Sequence, residues 1–270
     1  MPNGFRVLPM IDTFARRADA LARRSYYEAT IRRPADDPVL DDALDVDVCV
    51  IGAGFAGLST ALDCRARGLS VAVLDAYRPG WGASGRNGGQ LIARIAPVAS
   101  YIVATEALGA DRANALISRR DAVCDNNFFL DYFRLSADHR MLFGGRASSA
   151  GASPDALVGA IRSRMIGAFP QLADVRIEFA WGGFVDVTRN RAPDFGAIDP
   201  NYFYLQGFSG HGVALTGIAG RIVAHAIAGD ARAFDLFARL RHRRFPGGPA
   251  WRQPALALGM LYHRARELLF

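Results

Sequence analysis

An α/β fold is predicted by three stretches of this 270-residue sequence: a parallel βαβ unit joined to a mixed, mainly antiparallel sheet. In the first, a β-branched run at 45–51 ends in Gly52-Ala-Gly-Phe-Ala-Gly57. Good helix formers follow over 58–67, Gly68 supplies the stop, and a second apolar run at 69–74 ends at Asp75. Strand, glycine turn, helix, strand is one βαβ unit. The second stretch, from about residue 94 to 199, reads mostly as short strands. The third is a strand at 202–206 that runs through Gly207-Phe-Ser-Gly-His-Gly212 into an apolar helix over 213–228.

The elements of the middle region follow from local pattern. Residues 101–105 alternate as a strand, 113–119 form a helical turn or two, and 128–135 with 141–143 flank Ser136-Ala-Asp-His-Arg140 as a hairpin. Apolar spacing predicts a helix over 154–169. Strands are expected at 175–179 and 183–187, separated by a bend at Trp181-Gly-Gly. A short helix at 12–24 and another from residue 255 are expected near the ends. No internal repeat is visible. The strand at 202–206 and the strand ending at Asp75 are expected to lie beside 46–51, which would bring the glycine-rich turns together.

Composition narrows the chemistry. At 51% hydrophobic and 21% charged residues, the chain can bury a core, which excludes a wholly disordered protein. The net charge is +6, and all 32 basic residues are Arg, so Schiff-base chemistry on a lysine and a P-loop lysine are excluded. The Arg clusters are scattered without an aromatic-interleaved basic motif, so they read as solvated surface and no nucleic-acid partner is expected. Cys49, Cys64 and Cys124 stand far apart, which fits a reducing compartment. The five histidines lack ligand spacing, and no metal site is expected. The N-terminus has no continuous apolar core of a secretion signal, and no 18-residue apolar run predicts a membrane span. A cytoplasmic protein is the expectation.

Three constellations carry chemistry. Gly52-x-Gly54-x-x-Gly57 follows a strand and opens a helix, and an acidic residue, Asp75, ends the next strand 18 positions after Gly57. That context matches a dinucleotide-binding turn. Gly52 permits the tight turn, Gly54 lets a pyrophosphate approach, and Gly57 lets helix and strand pack closely. The helix N-terminus at Phe55, Ala56 and Gly57 aims N–H donors and positive dipole at an anion. Asp75, followed by Ala76, would accept hydrogen bonds from ribose hydroxyls. The second constellation, Trp81-Gly-Ala-Ser-Gly-Arg-Asn-Gly-Gly-Gln90, has backbone able to wrap a planar polar ligand around Ser84, Gly85, Arg86, Asn87, Gly88 and Gly89, or it is a plain linker. The third, Gly207 to Val213, again feeds a helix and aims N–H groups at an anion. There His211 is either an added donor or a structural histidine.

Together these segments resemble the FAD-dependent oxidoreductases of the D-amino-acid-oxidase-like superfamily, and within it the γ-glutamylputrescine oxidoreductases. The residues that carry the resemblance are Ser25-Tyr-Tyr-Glu-Ala-Thr30, the βαβ unit 47–75, the loop 80–89, 100–106, 131–138 with 142–145, 207–221 and 244–248. The resemblance implies that Gly52, Gly54 and Gly57 hold the FAD pyrophosphate and that Asp75 holds the adenosine ribose. It implies Ser84 to Gly89 along the flavin, and Gly210, His211, Gly212 and Val213 at its pyrimidine edge. Arg86-Asn87 occupies the region where some relatives carry a flavin-linked histidine, so FAD is expected to be non-covalent. The implied reaction oxidises the C–N bond of a small amine or amino acid, with electrons passing to oxygen. No residue stands out as an obligatory acid or base. Tyr101, Tyr132, Arg134 and Trp181 are candidate pocket residues.

Members of this family are longer, and the excess falls between the 80–89 loop and the segment matching 93–101. Here the two nearly abut, at 90–94, which implies a truncated FAD-binding Rossmann domain with a large internal deletion. The expected organisation is an N-terminal extension at 1–45, a discontinuous FAD-binding domain of 46–92 plus 200–229, a substrate domain at 93–199 and a helical tail at 230–270. Alternative readings are a catalytically inactive remnant of such an oxidase and an NAD-dependent Rossmann enzyme.

Overall fold

The computed structural model describes residues 25–33, 37–88, 99–125, 130–148, 154–186, 188–242 and 258. Its elements in chain order are α1 (Tyr26–Thr30), β1 (Val48–Ile51), α2 (Phe55–Ala66), β2 (Val71–Leu74), β3 (Ala99–Thr105), α3 (Ala110–Leu116) and β4 (Val123–Cys124). Then come β5 (Tyr132–Leu135), β6 (Met141–Ser148), α4 (Pro154–Ala168), β7 (Ile177–Gly183), β8 (Asp194–Asp199), β9 (Tyr202–Gln206), α5 (Gly212–Ile227) and α6 (Arg232–Ala238). The chain divides into two compact units, residues 1–30 with 98–184 and residues 31–97 with 185–270. Of the expected terminal helices, the one at 12–24 lies outside the described residues, as does the one from 255 apart from Leu258, which is helical.

The first unit is a five-stranded sheet in the order β4-β5-β6-β3-β7, with every described pair antiparallel. Its inner strand β3, between β6 and β7, is apolar at consecutive positions because both faces are covered. Tyr101 and Val103 face a core shared with Met141 and Phe143 of β6 and Leu157, Ile161 and Met165 of α4. Ile102 and Ala104 face the other side, with Leu142, Trp181 and Tyr26 of α1. The expected bend at Trp181-Gly-Gly is absent. β7 runs straight through it, with Trp181, Gly182 and Gly183 paired to Ile102, Tyr101 and Ser100. Glycine inside a strand is tolerated where a neighbouring backbone or ring needs the space. Gly144 does this on β6: a Cβ there would meet the Tyr132 ring at 2.0 Å.

α1 is the element that the expected extension at 1–45 concealed. Tyr26 and Tyr27 pack edge-on against Phe179 and Trp181. The Tyr26 hydroxyl donates to Asp138 Oδ1 at 2.5 Å, and that oxygen also accepts from Ser136 Oγ at 2.6 Å. Arg140 donates through Nε to Asp138 Oδ2 at 2.8 Å, bonds Glu178 and lies over the Tyr26 ring. Burial opposes ionisation of Asp138, but hydrogen bonds from Ser136, Tyr26 and Arg140 outweigh it and hold the carboxyl down to about 2 from 3.8. A depressed carboxylate stabilises the fold above its unfolded pKa and ceases to do so as pH falls through the folded one. This contribution is therefore lost between about pH 4 and pH 2. A Tyr26→Phe variant removes one of the donors and should lose its buried-Trp181 fluorescence at a higher pH than the wild type in an acid titration. Coincident acid transitions would contradict this role for the tyrosine.

The second unit holds the βαβ element. β1 and β2 pair in parallel, Val48 with Val71 through Ile51 with Leu74. Just before the strands, Asp47 and Ser70 exchange hydrogen bonds: Asp47 Oδ2 accepts from the Ser70 amide and hydroxyl, and Ser70 Oγ accepts from the Asp47 amide. β1 and β2 form a two-stranded sheet, and Ile51 is 75% exposed. The expectation that 202–206 lies beside β1 is overturned. β9 pairs antiparallel with β8 instead, as a separate hairpin packed on α5 and α6 through Phe195, Phe203, Val223 and Phe234. The expected boundary at 199/200 accordingly falls inside that hairpin, and the contact division falls at 184/185. The expected tail at 230–270 is likewise part of this unit, where α6 supplies Phe234 to the hairpin core. Among the described residues no single helix is long and apolar enough to cross a membrane.

Candidate functional site

The first glycine loop has the geometry its sequence demands. Gly52 sits at φ +104, a conformation that L side chains rarely adopt. A Cβ on Gly57 would lie 1.9 Å from the Gly52 carbonyl oxygen and 3.1 Å from Val50 Cγ1. α2 can therefore start directly off the strand only with glycine at 57. Asp75, at the end of β2, turns back onto this loop: its Oδ2 accepts from the Ala53 amide at 2.6 Å and its Oδ1 from the Tyr77 amide at 2.8 Å. A carboxylate has about four acceptor positions, so lone pairs remain on both oxygens. Ala76 lies in the turn between them.

The second loop docks on the first. The Gly80 amide donates to the Ala53 carbonyl at 3.0 Å, and Ser84 Oγ accepts from the Phe55 amide at 2.9 Å. Ser84 thereby caps α2 from 29 residues downstream. Helix starts leave their first amides unpaired, and capping one of them is worth ~1 kcal/mol. A Ser84→Ala variant should lower stability by about 1 kcal/mol in urea unfolding, and an unchanged midpoint would show that the bond is idle. Gly85 carries no side chain because a Cβ would strike the Gly80 carbonyl at 2.2 Å. Arg86 is buried: its Nε donates to the Trp81 carbonyl at 3.0 Å and its guanidinium lies over the Trp81 ring. Trp81 in turn stacks on Tyr77 at 4.0 Å. Asn87 Nδ2 donates to the carbonyls of Ala83 and Ser84. Arg86 and Asn87 thus brace this loop from within, which a plain linker would not require. Gly88 ends the described part of the loop, and Gly89 lies outside the described residues.

The third loop is held in left-handed backbone at Gly207, Ser209 and Gly210, with φ of +70, +53 and +85. Ser209, fully buried, is the non-glycine member and is held on every side. Its amide donates to the Asp186 carbonyl at 2.8 Å and its hydroxyl to the Gly207 carbonyl at 3.0 Å, and it accepts from the Thr188 amide. Asp186 Oδ2 accepts from the Gly207 amide at 2.8 Å. Asp186 and Thr188 are residues that sequence reasoning missed, and nothing in their local pattern marks them. His211 is the N-cap residue of α5 and makes no side-chain cap bond. Gly212 begins the helix, with an exposed Val213 next.

Helix packing relates the third loop to the first two. Gly220 of α5 meets α2 so closely that a Cβ would lie 2.6 Å from Ser59 Cβ and 2.7 Å from the Thr60 amide. Further along, Arg67 Nη2 meets His225 Nε2. Both contacts advance in the same direction along the two helices, so α2 and α5 run parallel and their N-termini lie at one end of the pair. Small buried residues permit the approach: Thr60, Ala61 and Cys64 on α2, and Thr216, Ala219 and Gly220 on α5. The structure thus brings loops 52–57, 80–88 and 207–213 toward one end of a helix pair without β9 joining β1.

The pocket candidates lie in the other unit. Tyr101 and Trp181 are core residues. The Tyr132 hydroxyl bonds Ser100 Oγ at 2.9 Å, and burial pushes its pKa up to about 12. Arg134 donates to the Tyr27 hydroxyl and lies over its ring. All four therefore have packing roles.

A βαβ turn with a bare glycine cradle, an acidic residue ending β2 and a second helix start at the same end define a nucleotide-cofactor protein of α/β class. The chain belongs to the FAD-dependent oxidoreductase family, whose profile it matches over residues 47–96 and 91–226. The two stretches overlap at 91–96, beside the 90–94 junction where the family resemblance implies the deletion. FAD is the cofactor this membership brings. The sequence is 41% identical over 180 residues to γ-glutamylputrescine oxidoreductase of Escherichia coli K12, covering 67% of this chain and 42% of that protein. It is 44% identical over 171 residues to a probable oxidoreductase, OrdL, of Haemophilus influenzae, covering 63% and 39%. Among solved structures, glycine oxidase from Geobacillus kaustophilus matches with a TM-score of 0.43 at 22% identity, over 64% of this chain and 46% of that one. The chain spans about two fifths of the length of the curated relatives it matches.

Proposed function

We propose that this chain binds FAD non-covalently and uses it to oxidise the C–N bond of a small amine, of the γ-glutamylputrescine kind, in the cytoplasm. FAD held there would supply two-electron oxidation of the amine to an imine with oxygen reduced to peroxide, and water would then release the aldehyde and ammonia. The observation that carries the reading is the parallel pairing of α2 and α5, which sets two glycine-rich helix starts at one end.

Each residue's part follows from its position. The amides of Ala56 and Gly57 and the α2 dipole would face the pyrophosphate beside the open space at Gly52, while the Phe55 amide stays with Ser84 Oγ. Asp75, with Ala76 beside it, would accept from the ribose hydroxyls on the lone pairs not used by Ala53 and Tyr77. Ser84 to Gly89 would border the flavin, braced by Arg86 and Asn87. The start of α5 at Gly210, His211, Gly212 and Val213 would place positive dipole where negative charge develops on the ring. We assign the FAD-binding domain to 46–92 plus 200–229, with the β8–β9 hairpin attached to it, and the substrate domain to the five-stranded sheet.

The reading is tested by loading the protein with FAD and measuring peroxide release across a panel of small amines that includes γ-glutamylputrescine. Amine-dependent peroxide supports it. A flavin-loaded protein that yields none with any amine contradicts the oxidase assignment.

A further inference from the structure

Tyr77 stands 42% exposed on the turn that follows β2, yet its ring is fixed: it stacks on the Trp81 indole with centroids 4.0 Å and planes 10° apart. Trp81 is itself pinned, because buried Arg86 donates through Nε to its carbonyl at 3.0 Å and lies over the ring. The turn is fastened at both ends to one buried residue, Ala53. The Ala53 amide donates to Asp75 Oδ2 at 2.6 Å, and the Ala53 carbonyl accepts from the Gly80 amide at 3.0 Å. Between those two bonds the Tyr77 amide donates to Asp75 Oδ1 at 2.8 Å. Arg33 Nη1 adds a bond to the Pro79 carbonyl at 3.2 Å. A lone exposed aromatic is ordinary on a protein surface. This one is held by a stacked partner and a closed turn, two residues from the carboxylate that ends β2.

We propose that the open face of Tyr77 seats the adenine ring of the dinucleotide cofactor. Among the described residues, Trp81 is the one ring stacked on Tyr77, so the second face of the tyrosine is available. Ala76, between Asp75 and Tyr77, is exposed and adds only a methyl group. A base joined to a ribose lies one sugar's breadth from the hydroxyls that Asp75 would bind. A side chain two residues further along the same turn reaches that distance. Stacking suits a purine because it needs a flat π surface and no particular hydrogen-bond pattern. A ring already ordered by Trp81 also loses little freedom when the base arrives. The platform rests on the reading of Asp75 as the ribose acceptor, and it assigns a side chain to the base, for which that reading names none.

Its test does not need flavin. ADP, which carries adenine, ribose and pyrophosphate, is titrated calorimetrically into the full chain and into Tyr77→Ala and Tyr77→Phe, with inorganic pyrophosphate as the second probe. The wild type should bind ADP more tightly than pyrophosphate. Tyr77→Ala should weaken ADP binding about 5- to 100-fold and leave pyrophosphate binding unchanged. Tyr77→Phe, which keeps the ring, should recover most of the loss. A wild type that binds no ADP, or ADP affinity indifferent to Tyr77→Ala, overturns the platform. An equal loss for ADP and pyrophosphate also overturns it, because the tyrosine would then only brace the glycine turn. FAD titration separates this proposal from the reading on which it rests. Equal FAD affinity in the wild type and Tyr77→Ala overturns the platform and leaves the flavin reading standing. ADP binding that depends on Tyr77, in a protein that takes up no FAD, supports the platform and refutes the flavin reading.

Discussion

A Gly57→Ala variant is expected to purify without flavin and to be less stable than the wild type by about 2–3 kcal/mol, the upper part of the range for an added core methyl. The reason is positional. The new Cβ would lie 1.9 Å from the Gly52 carbonyl oxygen, and a Cβ has no rotamer by which to escape. Either α2 backs away from β1 or the Gly52 turn opens, and either movement displaces the amides of Phe55 and Ala56 and the Asp75 contact with Ala53. The control is Gly217→Ala, on the same face-sharing helix pair but with open space around the added carbon. It should keep flavin and gain some helix stability. Visible absorbance of the gel-filtered proteins and urea unfolding report both effects. A Gly57→Ala protein with wild-type flavin content and stability would contradict the close packing of turn and helix.

Trp181→Ala is expected to cost more, about 3–5 kcal/mol. The indole is fully buried between Ile102, Leu142 and the two tyrosines of α1, so truncation leaves a cavity on the β3–β7 face and removes the seat of α1. The tyrosines would lose their ring contacts there, while the Asp138 network would still hold the Tyr26 hydroxyl. Urea unfolding should show the midpoint fall by the corresponding amount. A loss below about 1 kcal/mol would mean that this face collapses onto itself and that α1 is a peripheral strap.

The βαβ unit and the glycine turns were legible because each is written in short-range chemistry: β-branched runs, positive-φ glycines and a helix stop at Gly68. Non-local pairing was less accessible. The strand 202–206 was expected beside β1, yet Pro200-Asn201 forms a tight turn in which the Asn201 amide donates to Asp199 Oδ1. That two-residue closure makes β8 the local partner of β9, and whether the other edge of β9 meets β1 depends on tertiary contact that short-range pattern does not report. The break expected at Trp181-Gly-Gly failed for a related reason, since glycine read alone signals a bend but here pairs across to Ser100 and Tyr101. α1 is five residues long, too short for periodicity to register, and becomes visible only through Asp138 and Trp181 more than a hundred residues away. In the candidate site, the glycines and Asp75 could be named from spacing. The bracing by Ser84, Asp186 and Thr188 depends on tertiary contact and could not.

A working flavin site has to form in a chain that spans about two fifths of the length of the relatives it matches. The most direct test is the visible absorption spectrum of the purified, gel-filtered protein, repeated on the supernatant after acid precipitation. Flavin bands on the protein that pass into the supernatant are the predicted result, as bound but unlinked FAD requires. A colourless protein that takes up no flavin on incubation with FAD would contradict it.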